Sequence, residues 1–320
     1  MTRHFLRDDD LSPAEQALVL QRAAAMKADR FAHRPLAGPR VVALIFDKPT
    51  LRTQLSFTVG VAELGGHPMT VDGNLAQIGT RESIADVTRV IERQVAAIVW
   101  RTYGQDHLEE MAANSTVPVV NALTDDFHPC QILADLLTIS EHKGALAGLT
   151  MTYVGDGANN MAHSYLLGGA TAGMQVRIGA PPTHQPRGDI LRRAAEIAQQ
   201  TGGSVQVTDD PVSAVLGADV VITDTWVSMG QEAETADRKG AESPFTKFAV
   251  DQGLIGHAAD DAIVMHCLPA YRGFEISGEV VDGPQSVVWD EAENRLHAQK
   301  AVLSFLLESS ATAGTSEIPQ

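Results

Sequence analysis

An arginine between threonines, placed where a helix-like run begins, is the first group in this chain able to hold an anion. The segment is Lys48-Pro49-Thr50-Leu51-Arg52-Thr53-Gln54-Leu55-Ser56-Phe57, and it follows the apolar, strand-like run Arg40–Phe46. Apolar residues then recur at helical spacing as far as a glycine stop at Gly65-Gly66. The first turn of a helix carries unpaired backbone N–H groups and partial positive charge, which together favour an anion. Thr50 suits the N-cap, with Thr53 in the turn that follows, and Arg52 offers a planar fork matched to phosphate. The segment predicts a phosphate site, although a capped helix with a surface arginine has the same appearance.

Polar residues also gather behind the other strand-like runs, where open α/β sheets bind their ligands. Trp100-Arg101-Thr102 follows one run. His128-Pro129-Cys130-Gln131 follows the next and opens a helix, with His128 and Gln131 spaced to face one spot. A histidine there can donate to a carbonyl oxygen as negative charge develops on it, or it can be a buried structural residue. Gly155-Asp156-Gly157-Ala158-Asn159-Asn160-Met161 does not fit G-x-G-x-x-G, and no acidic residue ends the next strand to hold a ribose. An amide that begins a helix can hold a carboxylate instead. Asp224-Thr225-Trp226-Val227-Ser228-Met229-Gly230 offers a carboxylate and a hydroxyl for an amino group and its neighbouring carboxylate, in a loop whose Trp226 and Met229 suggest closure. His266-Cys267-Leu268-Pro269-Ala270-Tyr271-Arg272-Gly273 puts a thiol at a strand end, either inert or beside reacting atoms. Leu268–Pro269 is a candidate cis peptide. Arg295, in Glu293-Asn294-Arg295-Leu296-His297-Ala298-Gln299-Lys300, opens the last apolar-faced helix as a cap or a ligand contact.

Ten strand-like runs must position these groups: Arg40–Phe46, Pro68–Val71, Ala96–Arg101, Val117–Asn121, Leu149–Gly155, Gln175–Ala180, Ser204–Thr208, Asp219–Asp224, Asp261–Cys267 and Ser286–Asp290. Helical segments lie between most of them, which predicts an α/β fold: two doubly wound parallel-sheet domains with helices on both faces, joined by interdomain helices. The 320-residue length suits two domains. The polar, glycine-containing stretch Glu141–Gly148 is the natural break, giving domains over 1–143 and 144–294, a final helix over about 295–308, and a small, polar, flexible tail over 309–320.

The net charge of −16 and the lack of a basic stripe argue against nucleic acid. No apolar run is long enough for a bilayer span, and Met1–Asp10 has no signal-like apolar stretch, so the expectation is a cytoplasmic protein without a membrane partner. Two cysteines make neither a disulfide framework nor a complete zinc site.

Taken in order, these motifs resemble the aspartate/ornithine carbamoyltransferase superfamily over about Arg3 to Leu307. The Asn160 turn, the Ser-Met-Gly loop and the cysteine motif resemble its ornithine branch. The resemblance implies transfer of a carbamoyl group from carbamoyl phosphate to the side-chain amine of L-ornithine, giving L-citrulline and phosphate. It implies no metal and no organic cofactor, and a homotrimer with active sites between subunits, with stacking of trimers left open. The final helix would pack back on the first domain. By the same resemblance, Thr50, Leu51, Arg52 and Thr53 hold phosphate, while Arg101, His128, Gln131 and Arg295 hold the carbamoyl end. Gln77 reaches a neighbouring subunit's site. Asn160, Asp224, Ser228 and Met229 hold the amino-acid end, and Cys267 and Leu268 flank the reacting amine. The catalytic set is Cys267, Arg101, His128 and Thr53. An amine of this kind has a pKa near 10.4, so the reactive neutral form needs a proton acceptor or a site that favours it, for which Cys267 is the candidate.

The family's usual loop reads Ser-Thr-Arg-Thr-Arg, against Thr50-Leu51-Arg52-Thr53-Gln54 here. Leu51 keeps the backbone N–H that an anion chiefly needs, whereas Gln54 loses a charge. Three alternatives stay open from sequence: a carbamoyltransferase for another amine, a nicotinamide-dependent dehydrogenase, and a non-catalytic subunit on the same fold.

Overall fold

Six apolar residues in a row suit a strand covered on both faces, and Val41–Phe46 forms one, β1. It pairs in parallel with β2, His67–Asp72, and with β3, Ala97–Arg101; β3 pairs with β4, Val119–Leu123. The sheet order is β2-β1-β3-β4. A second parallel sheet holds β5 (Thr150–Val154), β6 (Gln175–Gly179), β7 (Ser204–Thr208), β8 (Val220–Thr223) and β9 (Ile263–His266), in the order β7-β6-β5-β8-β9. These observations come from a computed structural model, which describes residues 2–228, 232–240 and 242–314.

The chain divides into two units. One takes in Met1–Ala134 and the chain from Asn294 onward, and the other is Asp135–Glu293. Ala43, Ile45, Ile98, Trp100, Leu108 and Met111 pack together in the first. Val154, Val221, Phe248, Val250, Val264 and Ile276 do so in the second. Each buried Val, Leu, Ile, Phe or Met among them contributes roughly 1.5–3 kcal/mol.

In both sheets the strand order reverses once, between β1 and β3 and between β5 and β8. Ligands of doubly wound sheets bind beyond the carboxyl ends of the strands at such a reversal. The loop after β1 begins the helix Arg52–Glu63, and the one after β5 begins the helix Asn160–Thr171.

Several sequence expectations change. The two compact units meet at 134/135, within the helix Pro129–Lys143, which begins in one unit and ends in the other. Ser286–Asp290 is not a strand: Ser286 makes one isolated bridge to Val264, and the last helix already begins at Val288. That helix runs to Gly314, so it takes in 309–314 of the expected tail; residues 315–320 lie outside the described residues. Thr50 is not the N-cap. Leu51 is, and no side chain caps that helix. Among the described residues, no helix is long and apolar enough to cross a membrane.

Candidate active site

The first unit gathers its polar residues behind β1, β3 and β4. Asp47 ends β1 by donating its N–H to Arg101 O (2.9 Å) and accepting from Trp100 Nε1 (2.9 Å). Lys48 is buried, with its ammonium on the Asp125 carboxylate and 4.4 Å from the centre of the Tyr103 ring. One lysine thereby ties together the segments that follow β1, β3 and β4. Arg52 and Thr53 then open the helix, where the first N–H groups have no helical partner. The missing side-chain cap leaves that turn available to an anion.

Thr53 is the meeting point of this half. Its Oγ1 accepts from Arg295 at 2.7 Å and, at 3.4 Å, from Arg101. Arg295 also donates to Gln131 Oε1 at 2.7 Å. Thr53, Arg101, His128, Gln131 and Arg295 are all buried. Burial holds His128 well below the ordinary imidazole range, and the Arg295 and Arg101 charges push the same way. The ring is therefore neutral at pH 7, a donor without a charge of its own. Two guanidiniums, a neutral imidazole, a hydroxyl and an amide can together hold a planar carbonyl group and an attached anion. Thr50 and Arg52 are half-buried at the mouth of this cluster's loop, and Leu51 is exposed. Gln77 is apart from it: exposed, in the left-handed conformation (φ 50°), at the end of the short helix Gly73–Ala76.

The second unit gathers its groups behind β5, β8 and β9. Asn159, not Asn160, caps the helix after β5: its Oδ1 accepts from Ala162 N (2.9 Å) and its Nδ2 donates to the Tyr153 hydroxyl (2.9 Å). Asn160 is the next residue and half-buried, so its amide stands in the first turn. Asp224 follows β8, buried, and accepts from Thr225 N (2.7 Å) and from Cys267 Sγ (3.1 Å). Ser228 is half-buried a few residues on. Met229 lies outside the described residues, as does Gly230.

Behind β9, the His266 N–H donates to Glu291 (2.8 Å) and its Nδ1 accepts from Leu268 N (2.9 Å). With Nδ1 an acceptor, Nε2 carries the proton toward Glu275 at 3.3 Å. That web fixes the chain around Cys267. Leu268 has φ 57°, unusual for a branched side chain, and Leu268–Pro269 is cis as expected. Burial pushes the Cys267 thiol well above its ordinary pKa, and the Asp224 and Glu291 carboxylates add to the rise. Burial also raises Asp224, partly offset by His266 and by the thiol's hydrogen bond. Cys267 is thus a protonated donor, and Asp224 is the acceptor of the pair.

Sequence reasoning missed several supports. Asp135, fully buried, accepts from the Tyr165 hydroxyl at 2.6 Å; its signal was a charge inside the apolar run Ile132–Leu137. Glu275 and Glu291 had no signal, because their value lies in which backbone N–H groups they meet. Asp224, His266 and Cys267 also bring one ligand atom each within 4.8 Å of one another. A divalent cation accepts such a set, but both His266 nitrogens already have partners.

The family described as aspartate/ornithine carbamoyltransferase, carbamoyl-P binding domain, matches residues 3–141. Its companion, the Asp/Orn binding domain, matches residues 147–306. An ornithine carbamoyltransferase of Clavibacter sepedonicus is 63% identical over 310 residues, covering 97% of this chain and all of the relative. One from Renibacterium salmoninarum is 60% identical over 314 residues, with 97% and 100% covered. Among solved structures, the ornithine carbamoyltransferase of Pyrococcus furiosus superposes with a TM-score of 0.90 at 44% identity, covering 94% of this chain and 96% of that one. With both of its domains matched in order over most of its length, this chain belongs to the aspartate/ornithine carbamoyltransferase family.

Proposed function

We propose that this protein is an ornithine carbamoyltransferase, converting carbamoyl phosphate and L-ornithine into L-citrulline and phosphate. The observation that carries this reading is the Asp224–Cys267 pair, a buried carboxylate and a half-buried thiol at the ends of adjacent strands. Such a pair suits a substrate amine that must lose a proton before it attacks.

In this reading the first unit holds carbamoyl phosphate. The phosphate lies on the first-turn N–H groups at Leu51, Arg52 and Thr53, with the Arg52 guanidinium and the Thr50 and Thr53 hydroxyls. Arg101 and His128 donate to the carbamoyl oxygen, and Gln131 and Arg295 meet the carbamoyl end. The second unit holds ornithine, with Asn160 on the α-carboxylate, Ser228 and Met229 on the α-amino acid end, and Asp224, Cys267 and the Leu268 backbone beside the side-chain amine. The neutral amine attacks the carbamoyl carbon. A C–N bond forms, the C–O bond to phosphate breaks, and the electron pair leaves on phosphate. The amine proton passes to Asp224, which the Cys267 S–H keeps oriented. Thr53, Arg101 and His128 stabilise the developing oxyanion; removing one such donor costs roughly 10²–10³ in rate.

A homotrimer completes the proposal, with Gln77 serving a neighbour's site. The edge strand β2 is largely uncovered, and Leu51, Leu55 and Leu75 are exposed around it, an apolar surface suited to a second copy. Both cysteines are free, in keeping with a cytoplasmic enzyme of arginine metabolism.

The deciding experiment is citrulline formation from carbamoyl phosphate with the amine varied. Ornithine should be preferred over lysine, putrescine and N-acetylornithine, and a preference for any of those three overturns the assignment. Light scattering should give three times the chain mass; a monomer at micromolar concentration would remove the trimer.

A further inference from the structure

The short helix Thr235–Lys239 sends two adjacent cations in different directions. Arg238 is buried; it donates to Asp156 Oδ2 (2.6 Å), to Trp226 O (2.9 Å) and to Glu234 (2.6 Å). That locks the helix to the turn after β5 and to the backbone two residues before Ser228. Lys239 is half-buried, and its ammonium lies 3.6 Å from the centre of the Tyr271 ring and 4.8 Å from that of Phe274. Both rings belong to the segment after β9, four and seven residues beyond Cys267.

The ring-bearing segment is itself firmly held. Tyr271 N donates to the fully buried Glu275 (2.5 Å), Phe274 N to Tyr271 O (3.0 Å) and Gly273 N to Ile276 O (2.9 Å). Glu275 is also the partner of His266, the residue before Cys267. The ammonium therefore joins two loops. One reaches Ser228 through Arg238 and the Trp226 carbonyl, and the other reaches Cys267 through Glu275 and His266. This clasp links the segments that follow β8 and β9 alongside the Asp224–Cys267 contact and the backbone bonds of Val250 with Glu275 and Ser277.

We propose that Lys239, clasped between Tyr271 and Phe274, is a positioning residue that sets the spacing of Ser228 and Cys267 for the amino-acid substrate. The proposal rests on the ornithine reading above. In this proposal Lys239 acts through its contacts with the Tyr271 and Phe274 rings and not on the substrate itself. Its direction of effect is diagnostic, because ornithine carries a net positive charge. Removing a nearby cation would by charge alone tighten ornithine, whereas loss of the clasp weakens it.

The test is steady-state kinetics on the full chain, with thermal melting as a check that each variant folds. Lys239→Met should raise KM for ornithine roughly tenfold, the scale of two partly exposed cation–π contacts, and leave KM for carbamoyl phosphate within about twofold. Lys239→Arg, which keeps both charge and ring contact, should restore the wild-type value. Tyr271→Leu with Phe274→Leu should raise the ornithine KM similarly and add little in the Lys239→Met background. An unchanged or lowered ornithine KM in Lys239→Met overturns the clasp, and so does a full additional loss in the combined variant. If instead the wild-type protein makes no citrulline, the ornithine reading fails, which is a separate result.

Discussion

The Cys267 thiol donates a hydrogen bond to the Asp224 carboxylate across 3.1 Å, joining residues 43 apart in sequence. The direction of that bond assigns the roles. Desolvation and the Asp224, Glu291 and Asp135 charges raise the half-buried thiol's pKa, which fits the proposal that the carboxylate receives the amine's proton.

Asp224→Asn should therefore lower turnover by roughly 10²–10⁴, the range of general-base catalysis. Cys267→Ser, which keeps an O–H donor, should lower it less and retain the acid limb of the pH–rate profile. Loss of that limb on changing the cysteine would return the acceptor role to sulfur. Stability should move the other way. The folded pKa of Asp224 is raised, so the native state binds the extra proton and loses stability as pH rises from the ordinary carboxylate range through the folded value. Asp224→Asn removes that loss. Its melting temperature relative to wild type should be higher at pH 7.5 than at pH 4, as calorimetry at the two values would show.

Arg52→Ala should abolish measurable citrulline formation while leaving the melting temperature within a few degrees, because Arg52 is half-buried at a helix start. Unchanged turnover would remove the phosphate assignment. Arg295→Gln should reduce kcat/KM for carbamoyl phosphate by about 10²-fold or more. It removes the guanidinium that reaches both Thr53 and Gln131.

Glu63→Gln should destabilise the first unit by about 3–5 kcal/mol. The fully buried Lys300 ammonium lies 2.8 Å from the Glu63 carboxylate, and the variant strands that charge. Burial raises the Glu63 pKa, but hydrogen bonds from Arg30 and Lys300 outweigh it and the net is a lowered value. Its stabilisation is accordingly present above the unfolded carboxylate pKa and lost as pH falls through the folded one. Urea denaturation should show a large difference between variant and wild type at pH 7 that shrinks below about pH 4.

Gln299→Met should raise stability by about 1 kcal/mol. The Gln299 side chain is fully buried in the last helix, and neither its oxygen nor its nitrogen has a hydrogen-bond partner among the described residues. An unbranched apolar side chain of similar volume removes that desolvation cost. A lower melting temperature for the variant would show that the amide is satisfied in solution.

The alternation of apolar runs with helical segments disclosed two parallel sheets, because a strand buried on both faces must be apolar along its whole length, as β1 is. The polar residues were legible for a related reason: they follow the strands, and strand ends at a reversal of sheet order are where such folds bind. Boundaries were less legible. The helix Pro129–Lys143 continues through the point where the chain passes from one unit to the other, and composition does not mark that point. Ser286–Asp290 has the residues of a strand but only one bridging partner, and the last helix claims the rest.

By itself, the sequence determined which residue types stand at or behind each strand end: the threonines and Arg52 after β1, Arg101 at the end of β3, His128 and Gln131 after β4, Asp224 after β8 and Cys267 after β9. Local pattern suffices for that, since periodicity places an element and the residue after it. Only the tertiary structure decided what each group meets. Thr53 accepts from Arg295, 242 residues away. His128 is neutral because it is buried beside two guanidiniums, and Cys267 is protonated because it is buried beside carboxylates. Protonation depends on desolvation and on neighbouring charge, and both are properties of packing between segments distant in the chain.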